Sequence, residues 1–345
     1  MNESIGGDED SNLKIFIKYL LVKLLNSQYK NSLMSLITWS IALILAIIVL
    51  VKSSDHFTDR AEKIGLHHGL QPFVVGVIIV SIGTSLPEFV SSLVAVLRGS
   101  SEIVIGNVVG SNITNICLVL GLSAIIIKKI KLTYGVMHVD LPLLMATAFL
   151  LAVTIWDGVF TFFEALLCVA AFLLYLMYTI HTKKTHPDKI KKAIKSDRVH
   201  TKADYLVLLI STIFIYFSAE YVVKSVINIS QIVNIGTEII AVSAVALGTS
   251  LPELAVSIDV IRKGKPEIAV GNVLGSNIFN ATFVMGIPAL FGNLNAPPTI
   301  TGFALPLMLI ATILTVFMMQ EREMTKWEGW MLILFYIFFV GKLFL

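Results

Sequence analysis

Apolar residues run along this chain in long blocks separated by short polar breaks. Stretches near 36–52, 71–97, 103–127, 137–156, 159–180, 204–227, 236–261, 267–291, 299–319 and 327–344 each approach the roughly 20 residues that an α-helix needs to cross a bilayer. The pattern predicts an all-α integral membrane protein with ten transmembrane helices, five on each side of a polar connector at 181–203. Gly, Asn and Ser interrupt the third and eighth stretches. Such interruptions are tolerated at membrane depth only where backbone is buried in protein or lines a watery cavity. Ahead of the first stretch, residues 13–25 (LKIFIKYLLVKLL) set Lys14, Lys18 and Lys23 among Leu, Ile and Phe. That segment predicts an amphipathic helix lying in the interface, within an N-terminal tail at 1–35.

The polar positions inside the blocks are duplicated. Residues 83–88 and 248–253 both read GTSLPE, and Glu102–Asn115 (EIVIGNVVGSNITN) matches Glu267–Asn280 (EIAVGNVLGSNIFN) at 10 of 14 positions. The offset is constant at 165 residues, since 253 − 88, 276 − 111 and 280 − 115 agree. A polar motif repeated at the same depth of both halves marks a repeat transporter with its site at the midplane. The halves are residues 36–180 and 204–345. Five spans is an odd number, so the second half enters the membrane upside down relative to the first. The two GTSLPE motifs are then expected to face each other across a pseudo-two-fold axis.

Composition agrees with a lipid solvent: the chain is 56% hydrophobic and only 14% charged, with a mean hydropathy of +0.84. The net charge of +3 is small, and its placement says more than its size. The connector holds Lys183, Lys184, Lys189, Lys191, Lys192, Lys195, Arg198 and Lys202, which puts it in the cytoplasm. Ten spans then leave Lys52, Arg60 and Lys63, Lys128, Lys129 and Lys131, Arg262, Lys263 and Lys265, and Arg322 and Lys326 on the same side, with both termini outside. The acidic N-terminus (Glu3, Asp8, Glu9, Asp10) is unlike a signal peptide, and a plasma membrane of prokaryotic type is expected. Cys117 and Cys168 sit in apolar runs without metal-ligand spacing and read as packing residues.

A carboxylate at bilayer depth costs several kcal/mol unless it is paired or solvated, and so marks a pathway. Glu88 and Glu253 are the acidic residues nearest the centres of spans. Thr84 and Thr249 precede them by four residues, on the same helix face. Pro87 has no N–H for the carbonyl of Gly83, nor Pro252 for that of Gly248, so each helix should break beside its carboxylate. Ser85 and Ser250 add hydroxyls. On the partner spans, Ser111 and Asn115, and Ser276 and Asn280, are again four apart, while Gly106, Gly110, Gly271 and Gly275 permit close backbone approach. All these donors are hard oxygens, which suits Ca²⁺ with its 6–8 ligands better than Mg²⁺, zinc or copper. The same set could hold several Na⁺. Two negative charges match one Ca²⁺ or two monovalent cations, and a site that takes either set is an exchanger.

At these residues the chain resembles the sodium/calcium exchanger family of the cation/calcium exchanger superfamily, prokaryotic ten-helix type, over roughly residues 36–345. The resemblance implies a central Ca²⁺ held by Glu88, Glu253 and the backbone carbonyls of Thr84 and Thr249. It implies flanking Na⁺ sites at Ser81, Thr84, Glu88 and Ser111 and at Ala246, Thr249, Glu253 and Ser276. Asn115 and Asn280 would line the middle, Ser85 and Ser250 would complete the shells, and the first and sixth spans would slide as a pair against the core. Several members have Asp where this chain has Asn280, which removes a third charge and argues against potassium co-transport. With −2 available, a three-to-one stoichiometry would make exchange electrogenic. The resemblance implies transported Ca²⁺ and Na⁺ and no prosthetic group.

Other acidic and aromatic residues read more plainly. Asp140 and Asp157 are expected at the interface; Asp259 and Glu220 lie deeper; His67 and His68 fall in a cytoplasmic loop. Trp39, Trp156, Trp327 and Trp330 lie near span ends, as an interfacial belt requires. The alternative to sodium exchange is a Ca²⁺/H⁺ antiporter using the same two glutamates. A channel would pass current without a counter-ion. An intramembrane enzyme is disfavoured, because no His-Glu-x-x-His motif and no paired-Asp or Ser/His arrangement occurs in the spans. The bilayer is the expected partner, with no nucleic acid and no obligate protein.

Overall fold

The computed structural model describes residues 27–67, 81–127, 129–131, 140–182, 202–262, 266–320 and 323–344. The amphipathic segment 13–25, the start of the second stretch at 71–80 and residues 183–201 of the connector lie outside these. In chain order the helices are α1 (Ser27–His67), α2 (Ser81–Thr84), α3 (Leu86–Leu97), α4 (Ser101–Ile127), α5 (Leu141–Thr154), α6 (Phe162–Thr182), α7 (Lys202–Val233), α8 (237–249), α9 (Leu251–Arg262), α10 (266–289), α11 (Ile300–Met318) and α12 (Lys326–Leu343). Among the described residues, six helical segments are long and apolar enough to cross a membrane: those at Ser32–Phe57, Ser101–Ile127, Phe162–Thr179, Lys202–Val233, Thr237–Ile258 and Ile300–Met318. The protein is a multi-pass helical membrane protein.

Burial sorts the helices into a core and a coat. Every residue of α4 from Ile103 to Ile113 is buried, as are Val270, Val273, Leu274 and Ile278 of α10. In contrast, α1 exposes Leu33, Ile37, Ile41, Ile44, Leu45 and Ile48, and α7 exposes Leu206, Leu209, Ile213 and Phe217. Those two long helices pack on each other along much of their length, and Arg60 of α1 bonds Asp204 of α7 at 2.8 Å. Exposed apolar surface on this scale is stable only in lipid.

The interrupted stretches differ from expectation in an informative way. The third and eighth are continuous helices, α4 and α10, that widen into π turns at Thr114–Leu120 and Asn280–Val284. The second and seventh break, as Pro87 and Pro252 predict, at Ser85 (φ −92°, ψ 11°) and Ser250 (φ −84°, ψ 5°). Pro87 and Pro252 then fall at the second residue of α3 and α9, where a missing N–H has no helical partner to lose. Each proline starts a new helix instead of damaging an old one.

Two short ribbons cap the bundle. Strand β1 (Lys129–Lys131) pairs antiparallel with β4 (Glu323–Thr325), and β2 (Val159–Phe160) with β3 (Leu294–Asn295). Adding 165 to the pair Val159–Asn295 and counting Asn295 back by 165 gives Met324 and Ile130, which are themselves paired. The offset found in the motifs therefore also relates the ribbons.

Candidate functional site

The breaks at Ser85 and Ser250 bring the two duplicated motifs together in the buried centre. Glu88 and Glu253 are both fully buried, as are Ser85, Ser111, Asn115, Thr249, Ser276 and Asn280 to within a few per cent. The hydroxyls are exchanged between the halves. Ser85 donates to Glu253 Oε1 at 2.9 Å, and Ser250 donates to Glu88 Oε1 at 3.3 Å. From the neighbouring spans Ser111 donates to Glu88 Oε1 at 3.4 Å and Ser276 to Glu253 Oε1 at 3.3 Å. Each carboxylate thus has a serine hydroxyl from its own half and one from the other.

The remaining oxygens point to a ligand. Oε2 of Glu88 and of Glu253 is buried without a hydrogen-bonding partner, and so are both carboxamide atoms of Asn115 and of Asn280. Among the described residues no group of three or more His, Cys, Asp or Glu gathers, so the two glutamates supply the charge of the centre. Thr84 and Thr249 are buried at the ends of α2 and α8. Ala246 is buried too, and its carbonyl accepts the Ser250 N–H at 3.1 Å. Ser81 opens α2, with its side chain outside the described set.

Close helix contact positions these groups. A Cβ on Gly110 would lie 2.3 Å from the carbonyl oxygen of Val242, and one on Gly106 would lie 2.8 Å from that of Glu238. Glycine is what lets α4 touch α8. For Gly271 no described residue comes within 4 Å of an added Cβ. Its counterpart partners, 165 residues before 238–242, are residues 73–77, outside the described set.

Four asparagines belong to the site although the sequence reading passed over them. Asn107 Nδ2 donates to the Glu88 carbonyl at 3.2 Å, and its Oδ1 accepts from Thr249 Oγ1 at 3.4 Å. Asn272 repeats this with the Glu253 carbonyl and Thr84 Oγ1, both at 3.4 Å. Asn112 and Asn277 each donate to the other's backbone carbonyl, at 3.4 and 3.2 Å. The signal was present, since all four stand at identical places in the duplicated 14-residue string.

Residues away from the centre settle differently. Glu220 of α7 is ion-paired with Arg98, just beyond α3, and with Lys224 at 2.9 Å. Asp140 is 5% exposed at the head of α5, packed against protein. Asp157 accepts the Val159 N–H in the turn before β2. The side chains of Asp259 and His67, and all of His68, lie outside the described set. Cys117 and Cys168 are free and buried.

Comparison with known proteins identifies the family. The sodium/calcium exchanger MaX1 of Methanosarcina acetivorans is 32% identical, covering 88% of this chain and 97% of that protein. The inner membrane protein YrbG of Escherichia coli is 29% identical over 83% and 90%. A structure of the sodium-calcium exchanger NCX_Mj soaked with Na⁺ and Ca²⁺ superimposes with a TM-score of 0.63 at 28% identity, covering 88% of this chain and 98% of that one. The family model described as sodium/calcium exchanger protein matches residues 38–181 and 204–345. Both matched segments carry one copy of the motif that meets at the centre, and the chain belongs to the sodium/calcium exchanger family, a family of membrane transporters and not of enzymes.

Proposed function

We propose that this protein is a secondary-active antiporter that exchanges Na⁺ for Ca²⁺ by alternating access, through the buried centre between the two motifs. Glu88, Glu253 and the carbonyls of Thr84 and Thr249 hold Ca²⁺. Ser81, Thr84, Glu88 and Ser111 form one Na⁺ site; Ala246, Thr249, Glu253 and Ser276 form the other. Asn115 and Asn280 line the cavity, and Ser85 and Ser250 complete its shells. The observation that carries the reading is the set of unpartnered oxygens. Each buried polar atom without a partner costs about 1–3 kcal/mol, more when charged, and Glu88 Oε2, Glu253 Oε2 and the two carboxamides are all of this kind. A dehydrated cation can satisfy the four oxygens among them, Glu88 Oε2, Glu253 Oε2 and Oδ1 of Asn115 and Asn280, and one that takes 6–8 oxygens in flexible geometry suits them best.

The architecture in this proposal has ten spans in two inverted five-helix repeats, 36–180 and 204–345. Its support is the single offset that relates the motifs, the breaks, the π turns at Asn115 and Asn280, and the ribbons. The connector 181–203 and the β1–β4 ribbon face the cytoplasm, and the β2–β3 ribbon faces outward. Helices α1 and α7, packed as a pair around the core, are the elements that move. With two carboxylates, loading by one Ca²⁺ neutralises the site and loading by three Na⁺ leaves it at +1, so exchange is electrogenic at that stoichiometry.

The test is radioactive Ca²⁺ uptake into Na⁺-loaded proteoliposomes, beside a Glu253→Gln variant. Uptake is expected to require the outward Na⁺ gradient, to respond to a valinomycin-set voltage and to vanish in the variant. Uptake driven by a pH gradient and indifferent to Na⁺ would replace the sodium reading with Ca²⁺/H⁺ antiport at the same glutamates.

A further inference from the structure

Asn107 and Asn272 do something that the ion-ligand set does not describe. Each carboxamide is buried, at 0% and 5% exposure, and each is used at both ends. On one side Nδ2 of Asn107 reaches the Glu88 carbonyl and the hydroxyls of Ser91 and Ser92, at 3.2, 3.3 and 3.2 Å. Nδ2 of Asn272 reaches the Glu253 carbonyl and Ser257 Oγ, both at 3.4 Å. A backbone carbonyl only accepts, so it fixes which carboxamide end faces the glutamate. The oxygen of each asparagine is then turned to the opposite half, where it accepts from Thr249 or Thr84.

We infer that Asn107 and Asn272 are positioning residues that cross-couple the two halves of the ion site, each tying its own repeat's glutamate to the other repeat's threonine. The inference rests on the ion-site reading proposed above. The threonine proton is drawn toward acceptors in the scaffold: Thr249 Oγ1 has Asn107 Oδ1, the Val245 carbonyl at 3.1 Å and the Ala246 carbonyl at 3.4 Å around it. A hydroxyl whose proton is so engaged presents lone pairs to whatever else it faces, which is what a cation ligand requires. The threonines also end α2 and α8, one residue before each break. Holding the threonine therefore holds the break in the other half. A lesion in the second repeat should loosen the ion ligands of the first.

The test is a pair of double-mutant cycles read as the internal Na⁺ concentration that half-saturates Ca²⁺ uptake in proteoliposomes. Asn272→Ala is expected to raise that value about ten-fold, the scale of one buried hydrogen bond, with the maximal rate held within about two-fold. Combined with Thr84→Val, its partner across the halves, the double variant should be no worse than the weaker single. Combined with Thr249→Val, on its own half, the effects should multiply. Multiplication in both cycles, or an unchanged half-saturation with only a lower maximal rate, would overturn the coupling. Ca²⁺ uptake that survives Glu253→Gln would remove the ion-site reading, and this inference with it. Should Asn272→Ala fail to accumulate in membranes, the mirror set of Asn107→Ala with Thr249→Val and with Thr84→Val carries the same comparison.

Discussion

Ser85 Oγ lies 2.9 Å from Glu253 Oε1, and Ser250 Oγ lies 3.3 Å from Glu88 Oε1. Each serine stands at the break of one half and serves the carboxylate of the other. Hydrogen bonds to a charged group contribute about 1.5–3 kcal/mol. Ser85→Ala is therefore expected to weaken Ca²⁺ about 10- to 100-fold, measured as half-saturating external Ca²⁺, while protein yield in the membrane stays unchanged. Ser250→Ala should act in the same direction and less strongly, since its bond is longer. At this scale the sequence exposed most of the centre, because polar residues in apolar spans are conspicuous and these were duplicated. It hid Asn107, Asn272, Asn112 and Asn277, which stand in the same string as the residues singled out. Only packing shows which face of a span turns to which neighbour, and thus which amide meets a carbonyl.

At the scale of elements, the α4–α8 contact has the least room to give. A Cβ on Gly110 would fall 2.3 Å from Val242 O and 2.7 Å from Ala246 Cβ, and backbone cannot move aside as a flexible side chain can. Gly110→Ala should cost about 3 kcal/mol or more and show as loss of monodisperse protein and a lower Tm in detergent. Gly341→Ala in α12 meets nothing within 4 Å among the described residues, and is expected to be neutral in the same assay. The sequence placed glycine in these spans and set the breaks beside Pro87 and Pro252, where they occur, but it also suggested interruptions in a second pair. Gly and Asn in the third and eighth stretches looked like interruptions. In the fold Asn107, Asn112, Asn272 and Asn277 are hydrogen-bonded and Gly106 and Gly110 are packed, so α4 and α10 run on and absorb the irregularity as π turns, a local widening often found at functional sites. The break itself goes to the Thr-Ser-Leu-Pro segment, where proline begins the next helix.

For the whole molecule, the offset of 165 residues makes a topological claim that labelling can check. Native Cys117 and Cys168 are buried, so the parent protein should give little background with a membrane-impermeant maleimide. Cysteine at Asp157 or at Asn293, beside the β2–β3 ribbon, is expected to react from outside intact cells. Cysteine at Lys326, beside the β1–β4 ribbon, should react only after permeabilisation. Labelling of all three from one side would defeat the inverted arrangement.

The sequence alone determined that the chain is a helical membrane protein, that its halves are copies and that the polar copies matter. Those features follow from local quantities: the length of apolar runs, the cost of a carboxylate in lipid, and identity at a fixed spacing. The tertiary structure alone decided that each glutamate is held by the opposite half's serine, that Asn107 and Asn272 bridge the halves, and that glycine seats α4 on α8. Those facts depend on contacts between residues more than 130 positions apart, such as Thr249 with Asn107. A chain reveals which groups must be paired when buried; only the packed fold fixes which partner each one finds.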